Sequence, residues 1–418
     1  LSLGRSLARA LAEGRKRERG PVAIGGELAV DPDVGLCHAS APWCFWDTRS
    51  TALASELVLG LGAYAALTAS GETRYDDVAR ESKALFARLR TVGAGPSPRV
   101  FGGFSFAPRG DAHFVLPRLT LENGHALLML DESELERGAA ILEELLAPAA
   151  DAGEHTPYVV DDGSARYLAA VRRALDVIGA GVVEKVVTAR KVRIADAPDA
   201  RVTLAALAET PGSTRLGLCT SNGAFIAATP ELLCAVSHDR IATEAVAGTI
   251  PAGLPARDLS GSEKDVREHR LVKSGIHEAL AQLGLEPTEA PVEVRVLRHV
   301  QHLVTPIRAP RPSGLHVLDV VRALHPTPAV GGVPRDRALR FLDEIEPEGR
   351  GPYAGPFGWL DADGNGTFVV GIRSALFRKR EADVFAGGGI VAGSDPEREL
   401  RETDWKLRAL FGALGASA

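Results

Sequence analysis

The sequence predicts an α/β sandwich built mainly on antiparallel strands, and three observations support it. Strand-like and helix-like segments interleave along the 418 residues. Successive strands are separated by short, polar, glycine-containing turns of the kind that close hairpins. Gly351, Gly355 and Gly358 do not lead from a strand into a helix, so they are not the phosphate-cradling turn of a doubly wound nucleotide fold.

Taken in order, Leu3, Leu7 and Leu11 among Arg5, Arg9, Arg15, Lys16, Arg17 and Arg19 read as an amphipathic opening helix. Glu13, Glu18 and the scarcity of serine argue against an organelle-targeting leader. Residues 75–89 read as a helix, and 100–106 and 113–119 as strands. The small, polar stretch 147–163 is the best boundary, dividing an N-terminal part (1–155) from a catalytic region (156–418) within one structural unit.

Beyond it, Val171, Leu175 and Ile178 share one face of a helix over 164–178. Residues 182–194 are strand-rich, 202–209 a short helix, and 215–220, 224–228, 232–237 and 241–247 strands. Ser262, with Asp265 three residues on, opens a long helix over 262–283. Strands at 357–360 and 367–374 flank a turn from Asp361 to Gly366. This turn starts like a calcium loop, but Ile372 stands where the bidentate glutamate belongs, so it reads as a hairpin. The glycine run Gly387, Gly388, Gly389 reads as a loop, and Asp395 with Pro396 as the N-cap and first position of a final helix.

Composition excludes several classes. Apolar residues at 45% and charged residues at 24% are ordinary for a globular enzyme. A net charge of -6 is the wrong sign for a nucleic-acid footprint. No apolar run reaches the roughly 18 residues that span a bilayer. Cys37, Cys44, Cys219 and Cys234 have no framework spacing, which fits free thiols and a cytoplasmic enzyme.

Four features could carry chemistry. In the final helix Glu399, Glu402 and Lys406 recur at three and four residues, which places them on one face. Alone that is a salt-bridge ladder; beside other carboxylates it could grip a divalent cation and an anionic molecule. Lys185 lies in an apolar strand, where desolvation would make it a base. Glu231 precedes Leu232 and Leu233, and burial there would raise its pKa toward general-acid range. Glu268, on the second turn of the long helix, could ligate a metal. For each, a solvated surface position is the ordinary alternative. His299 and His302 have zinc-like spacing, but three residues along a strand would splay them.

Eight ordered runs bring these features together: KVVTAR, ATPELL, TEAVAGTIPAG, SEKDVREHRLV, LHPTPAVGG, GPYAGPFGWLDADGNGTFVVGIRSA, FAGGGIV and PERELRETDWK. The chain thereby resembles the chorismate-utilising enzymes from about Lys185 to Lys406, and within them is most similar to isochorismate synthases. The resemblance implies two large, mostly antiparallel sheets packed as a sandwich with helices outside. It implies a monomer that converts chorismate to isochorismate with Mg²⁺, for menaquinone or siderophore biosynthesis, without nucleic-acid or membrane partners.

By the same resemblance Lys185 activates water for attack at C2, and Glu231 protonates the departing C4 hydroxyl. Glu268, Glu399 and Glu402 hold Mg²⁺. Gly248, Thr249, His325, Tyr353, Arg373, Gly387 and Lys406 bind substrate. Ammonia-using relatives lack the base lysine, and aminodeoxychorismate synthases carry a lysine where this chain has Ala247. Salicylate synthases share Lys185 and Glu231 but tend to carry a Ser-Val-Thr run in place of the segment from Pro326 to Ala329. Salicylate synthesis is the first alternative and non-catalytic chorismate binding the second.

Overall fold

The computed structural model describes residues 2–14, 20–149 and 153–416. Arg15, Lys16, Arg17, Glu18 and Arg19 of the expected opening helix, and part of the expected boundary, lie outside the described residues; the helix itself spans Leu3–Gly14.

The strands form one hydrogen-bonded network that forks at the long strand Ala112–Glu122. One wing leaves through Leu57–Ala69 and runs by way of Trp43–Asp47, Thr214–Thr220, Gly223–Thr229, Ser374–Arg378 and Glu381–Val391 to Lys185–Ala195. The other leaves through Val100–Phe104 and runs by way of Pro356–Leu360, Gly366–Val370, Leu232–Val236 and Arg240–Pro251 to Val300–Pro310. Every step is antiparallel. These wings are the two large sheets expected, joined by a shared strand.

Packing follows from side-chain alternation. Trp46, Leu216 and Phe225 of the first wing meet Phe101, Phe357 and Val369 of the second, with the Phe225 and Phe357 rings 4.8 Å apart. The outer face of the first wing, including Val192, Ile226 and Val384, is covered by Leu407, Leu410 and Phe411 of the helix Pro396–Leu414. On the second wing Ile241, Ala245 and Ile307 lie under Val272 and Ile276 of the helix Glu263–Gln282 and Val317 and Val321 of the helix Val317–Leu324. Interior apolar side chains of this kind contribute about 1.5–3 kcal/mol each when fully buried.

Residues before and after 147–163 share both wings, because Trp43–Asp47 pairs with Thr214–Thr220 and Val100–Phe104 with Pro356–Leu360. Two expectations change. The glycine run is no loop; it lies inside the strand Glu381–Val391, paired along its whole length with Lys185–Ala195. Residues 367–374 are not one strand. Gly366–Val370 belongs to the second wing and Ser374–Arg378 to the first, and Arg373 between them has φ 50°, the left-handed region. Among the described residues no helix is long and apolar enough to cross a membrane.

Candidate active site

The chain crosses between wings twice at one place. Thr229–Glu231 links Gly223–Thr229 of the first wing to Leu232–Val236 of the second, and 371–373 makes the reverse crossing. The crossings hydrogen-bond to each other's strands: Val370 N–H donates to the Glu231 carbonyl at 3.0 Å and Ala228 N–H to the Arg373 carbonyl at 3.2 Å. Glu231 and Arg373 are thus held by backbone at the mouth of one cleft that is partly open to solvent.

From the first wing Lys185 enters beneath this cleft, fully buried. Its Nζ approaches Glu268 Oε1 to 3.0 Å, at an angle that makes an ion pair without an aligned hydrogen bond. Gly389 is what allows the pair: a Cβ there would lie 2.2 Å from Glu268 Oε1 and 3.0 Å from Lys185 Cε. Gly387 likewise leaves room for the Tyr353 hydroxyl, whose ring stacks on Phe385 at 4.9 Å. Glycine normally weakens a strand interior; here close approach of side chains requires it.

Asp395 caps the helix Pro396–Leu414 by accepting from Arg398 N–H at 2.8 Å, with Pro396 in the first turn. Its buried face carries Glu399 and Glu402 along with Leu407 and Leu410, so the acidic ladder points inward. Lys406 Nζ reaches Glu402 Oε1 at 2.7 Å and the Gly387 carbonyl at 2.8 Å. Glu399 Oε1 accepts from Lys264 Nζ at 2.6 Å, and Glu399 Oε2 is buried without an aligned hydrogen bond.

The electrostatics separate the carboxylates. Burial pushes Glu231 up to about 7, against the pull of Lys185, Lys406 and Arg373 and with added repulsion from Glu244. Burial would also raise Glu268, but Lys185 and Lys264 outweigh it and hold that carboxyl below its usual range. Glu399 is raised, first by burial and then by Glu402. Burial pulls Arg373 down to about 10.

His302 explains how Arg373 is aimed. An arginine has only donors, so His302 Nε2, 2.7 Å from Arg373, must accept. Nδ1 therefore carries the proton and donates to the Gly248 carbonyl at 3.1 Å, with Thr249 Oγ1 also at 3.1 Å. Burial holds this imidazole neutral.

Of the sequence-predicted residues, Glu231, Gly248, Thr249, Glu268, Tyr353, Arg373, Gly387, Glu402 and Lys406 line the cleft. Lys185 and Glu399 lie just beneath it, each tied to the ion pairs described. His325 does not reach it. Its ring is buried edge-on against Phe106, with Nε2 3.1 Å from the Phe106 carbonyl, and burial drives its pKa to about 3. His325 anchors the turn whose Ala329 and Val330 do line the cleft. Sequence reasoning missed Lys264, although it lies one turn before Glu268 on the same helix, and weighed His302 only as a metal ligand.

The residues suit a hard cation. Glu268 and Glu402 line the cleft and Glu399 lies beneath it, all three offering carboxylate oxygens, and Glu399 Oε2 is buried without an aligned hydrogen bond, near Ser394. Among the described residues, however, no three acidic, histidine or cysteine side chains are gathered closely enough to hold a metal as they stand.

The family model described as "Chorismate binding enzyme" matches residues 36–415. A Pseudomonas aeruginosa protein named "Salicylate biosynthesis isochorismate synthase" is 34% identical, covering 98% of this chain and 93% of its own. The isochorismate synthase MenF of Bacillus subtilis is 33% identical over 76% of this chain and 75% of its own. Among solved structures, the menaquinone-specific isochorismate synthase MenF of Escherichia coli superposes with a TM-score of 0.81 at 26% identity, covering 99% of this chain and all of that one.

Proposed function

This chain belongs to the chorismate-binding enzyme family, and we propose that it is an isochorismate synthase, an isomerase that moves the ring hydroxyl of chorismate from C4 to C2 with Mg²⁺ bound. The observation that carries this reading is the placement of two ionisable groups about one cleft, with Glu231 on the crossing at its mouth and Lys185 buried beneath it on a strand of the first wing.

The chemistry follows from the two environments. In its neutral amine form Lys185 takes a proton from water as the water oxygen bonds to C2, and becomes the ammonium that Glu268 faces at 3.0 Å. Glu231, whose pKa near 7 keeps a protonated population at neutral pH, gives its proton to the C4 hydroxyl as that C–O bond breaks and the ring double bonds shift. General acid and base catalysis of this kind contributes about 10²–10⁴ each. Arg373, aimed by His302, and Lys406 meet the carboxylates of the dianion. Glu268, Glu399 and Glu402 would hold Mg²⁺, which would supply electrostatic stabilisation of charge developing on a substrate carboxylate.

Water as nucleophile is supported by Lys185 and by Ala247, an inert side chain on the cleft wall. The names of the relatives support a product consumed in menaquinone or siderophore synthesis, and the reading carries with it a monomeric enzyme of the cytoplasm. Incubation with chorismate and Mg²⁺ followed by chromatography tests it. Isochorismate is the expected product; salicylate with pyruvate would transfer the protein to the salicylate synthases, and binding without turnover would leave a chorismate-binding protein.

A further inference from the structure

Each of the three carboxylates assigned to the metal already has one oxygen on a different lysine. Glu268 is held by Lys185 at 3.0 Å, Glu402 by Lys406 at 2.7 Å and Glu399 by Lys264 at 2.6 Å. Buried carboxylates need a counter-charge, and these ammoniums provide it. Lys185 and Lys406 have tasks in the reaction; Lys264 has none.

Its position differs from theirs. Lys185 is fully buried on a sheet strand, and Lys406 is tied a second time, to the Gly387 carbonyl. Lys264 stands on the first turn of its helix, with its ammonium on Glu399 and 19% of its side chain in solvent. A flexible four-carbon stem at that edge can carry its charge out to water at little cost. Glu399, by contrast, is 1% exposed and cannot follow.

We propose that Lys264 is the resident counter-cation of Glu399, and that a divalent cation enters the site by displacing its ammonium into solvent. The inference rests on the metal-dependent reading above. It assigns Lys264 a positioning role: it keeps Glu399 oriented in the metal-free protein and weakens metal binding until substrate brings its two negative charges. A divalent cation that replaces one ammonium leaves the cleft one positive charge richer from the metal alone, and the dianion that follows offsets that excess.

Amine-reactive labelling of the wild-type protein, read by mass spectrometry at Lys264, tests the displacement directly. Labelling is expected to rise several-fold on adding Mg²⁺; labelling that stays level while Mg²⁺ binds by calorimetry would overturn the proposal. Calorimetric Mg²⁺ titration of Lys264→Gln gives a second readout, with binding expected to tighten about tenfold or more. Lys264→Arg, which keeps the charge, should not tighten it, and neither should Arg267→Gln, which removes an exposed charge from the same helix. Equal tightening in Arg267→Gln would reduce the effect to bulk charge and overturn the assignment. If no form binds Mg²⁺, with or without chorismate, the metal reading itself falls and this inference with it.

Discussion

The charges of the cleft and those around buried Asp47 are built in opposite ways. Near the fork, on the second strand of the first wing, Asp47 is held by arginine forks. Its Oδ1 accepts from Arg49 N–H at 3.0 Å and Arg49 Nε at 2.9 Å, and its Oδ2 from Arg215 at 2.6 and 3.0 Å, while Asp33 takes further donors from both arginines. Burial would raise Asp47, but the Arg49 and Arg215 hydrogen bonds hold it below its ordinary range. In the cleft the cations facing the carboxylates are lysines, each making a single contact with its glutamate, and Glu399 Oε2 is left over. A saturated arginine network fixes geometry; a lysine network with spare acceptors leaves places for a ligand.

The sharpest test of this contrast is Lys185→Ala. Loss of the base is expected to lower turnover by about 10²–10⁴ while chorismate still binds. Product chromatography beside calorimetry reads both, and near-normal turnover would remove Lys185 from the chemistry. The Asp47 cluster should respond in the other currency. Arg215→Ala removes two of the five hydrogen bonds that Asp47 accepts from Arg49 and Arg215, and is expected to cost about 3 kcal/mol of stability in denaturant unfolding. The activity of the molecules that remain folded should be unchanged, and a selective loss of turnover would erase the distinction between the clusters.

A smaller effect follows from Glu231. Its raised pKa means the acid form is present below about 7 and is lost as pH rises through that value, so kcat/KM should fall on the alkaline side. The stability linked to the same proton has the same sign: complete below the ordinary carboxylate range, lost as pH rises through about 7. Glu244→Gln removes a repulsion that helps raise Glu231 and frees the charge of Arg295, now held at 2.6 Å. The alkaline limb should then move to lower pH by a fraction of a unit. A pH–rate profile that does not move would show that Glu231 is not the group titrating.

Local signals carried much of the site. The Asp395–Pro396 start and the spacing of Glu399, Glu402 and Lys406 are helix chemistry, and the helix formed as the pattern required. Lys185 lay in a β-branched strand and Glu268 on a capped helix, both visible within a few residues. What escaped was set by partners distant in the chain. Three consecutive glycines look like a loop, because the reason for them lies on other elements: Glu268, Tyr167 and Tyr353 each fill space that a Cβ would take. The left-handed Arg373 is held by the crossing at Ala228, and His325 went to Phe106, some two hundred residues earlier. The apparent boundary near 150 looked like a linker because composition reports local polarity and is blind to strand pairing.

The long pairing between Lys185–Ala195 and Glu381–Val391 also has a temporal consequence. During synthesis the base strand leaves the ribosome nearly two hundred residues before the strand that completes its sheet, and the carboxylate helix emerges later still. Until Lys406 has been made, Lys185 faces neither its glycines nor a finished cleft, and the partial chain holds an unpaired strand edge of high aggregation risk. Sequence separation of this size also slows folding, since loop closure must precede the contacts that reward it. Catalytic competence therefore arrives all at once, after Lys406 has emerged, and no nascent chain that stops short of it can carry out half the reaction.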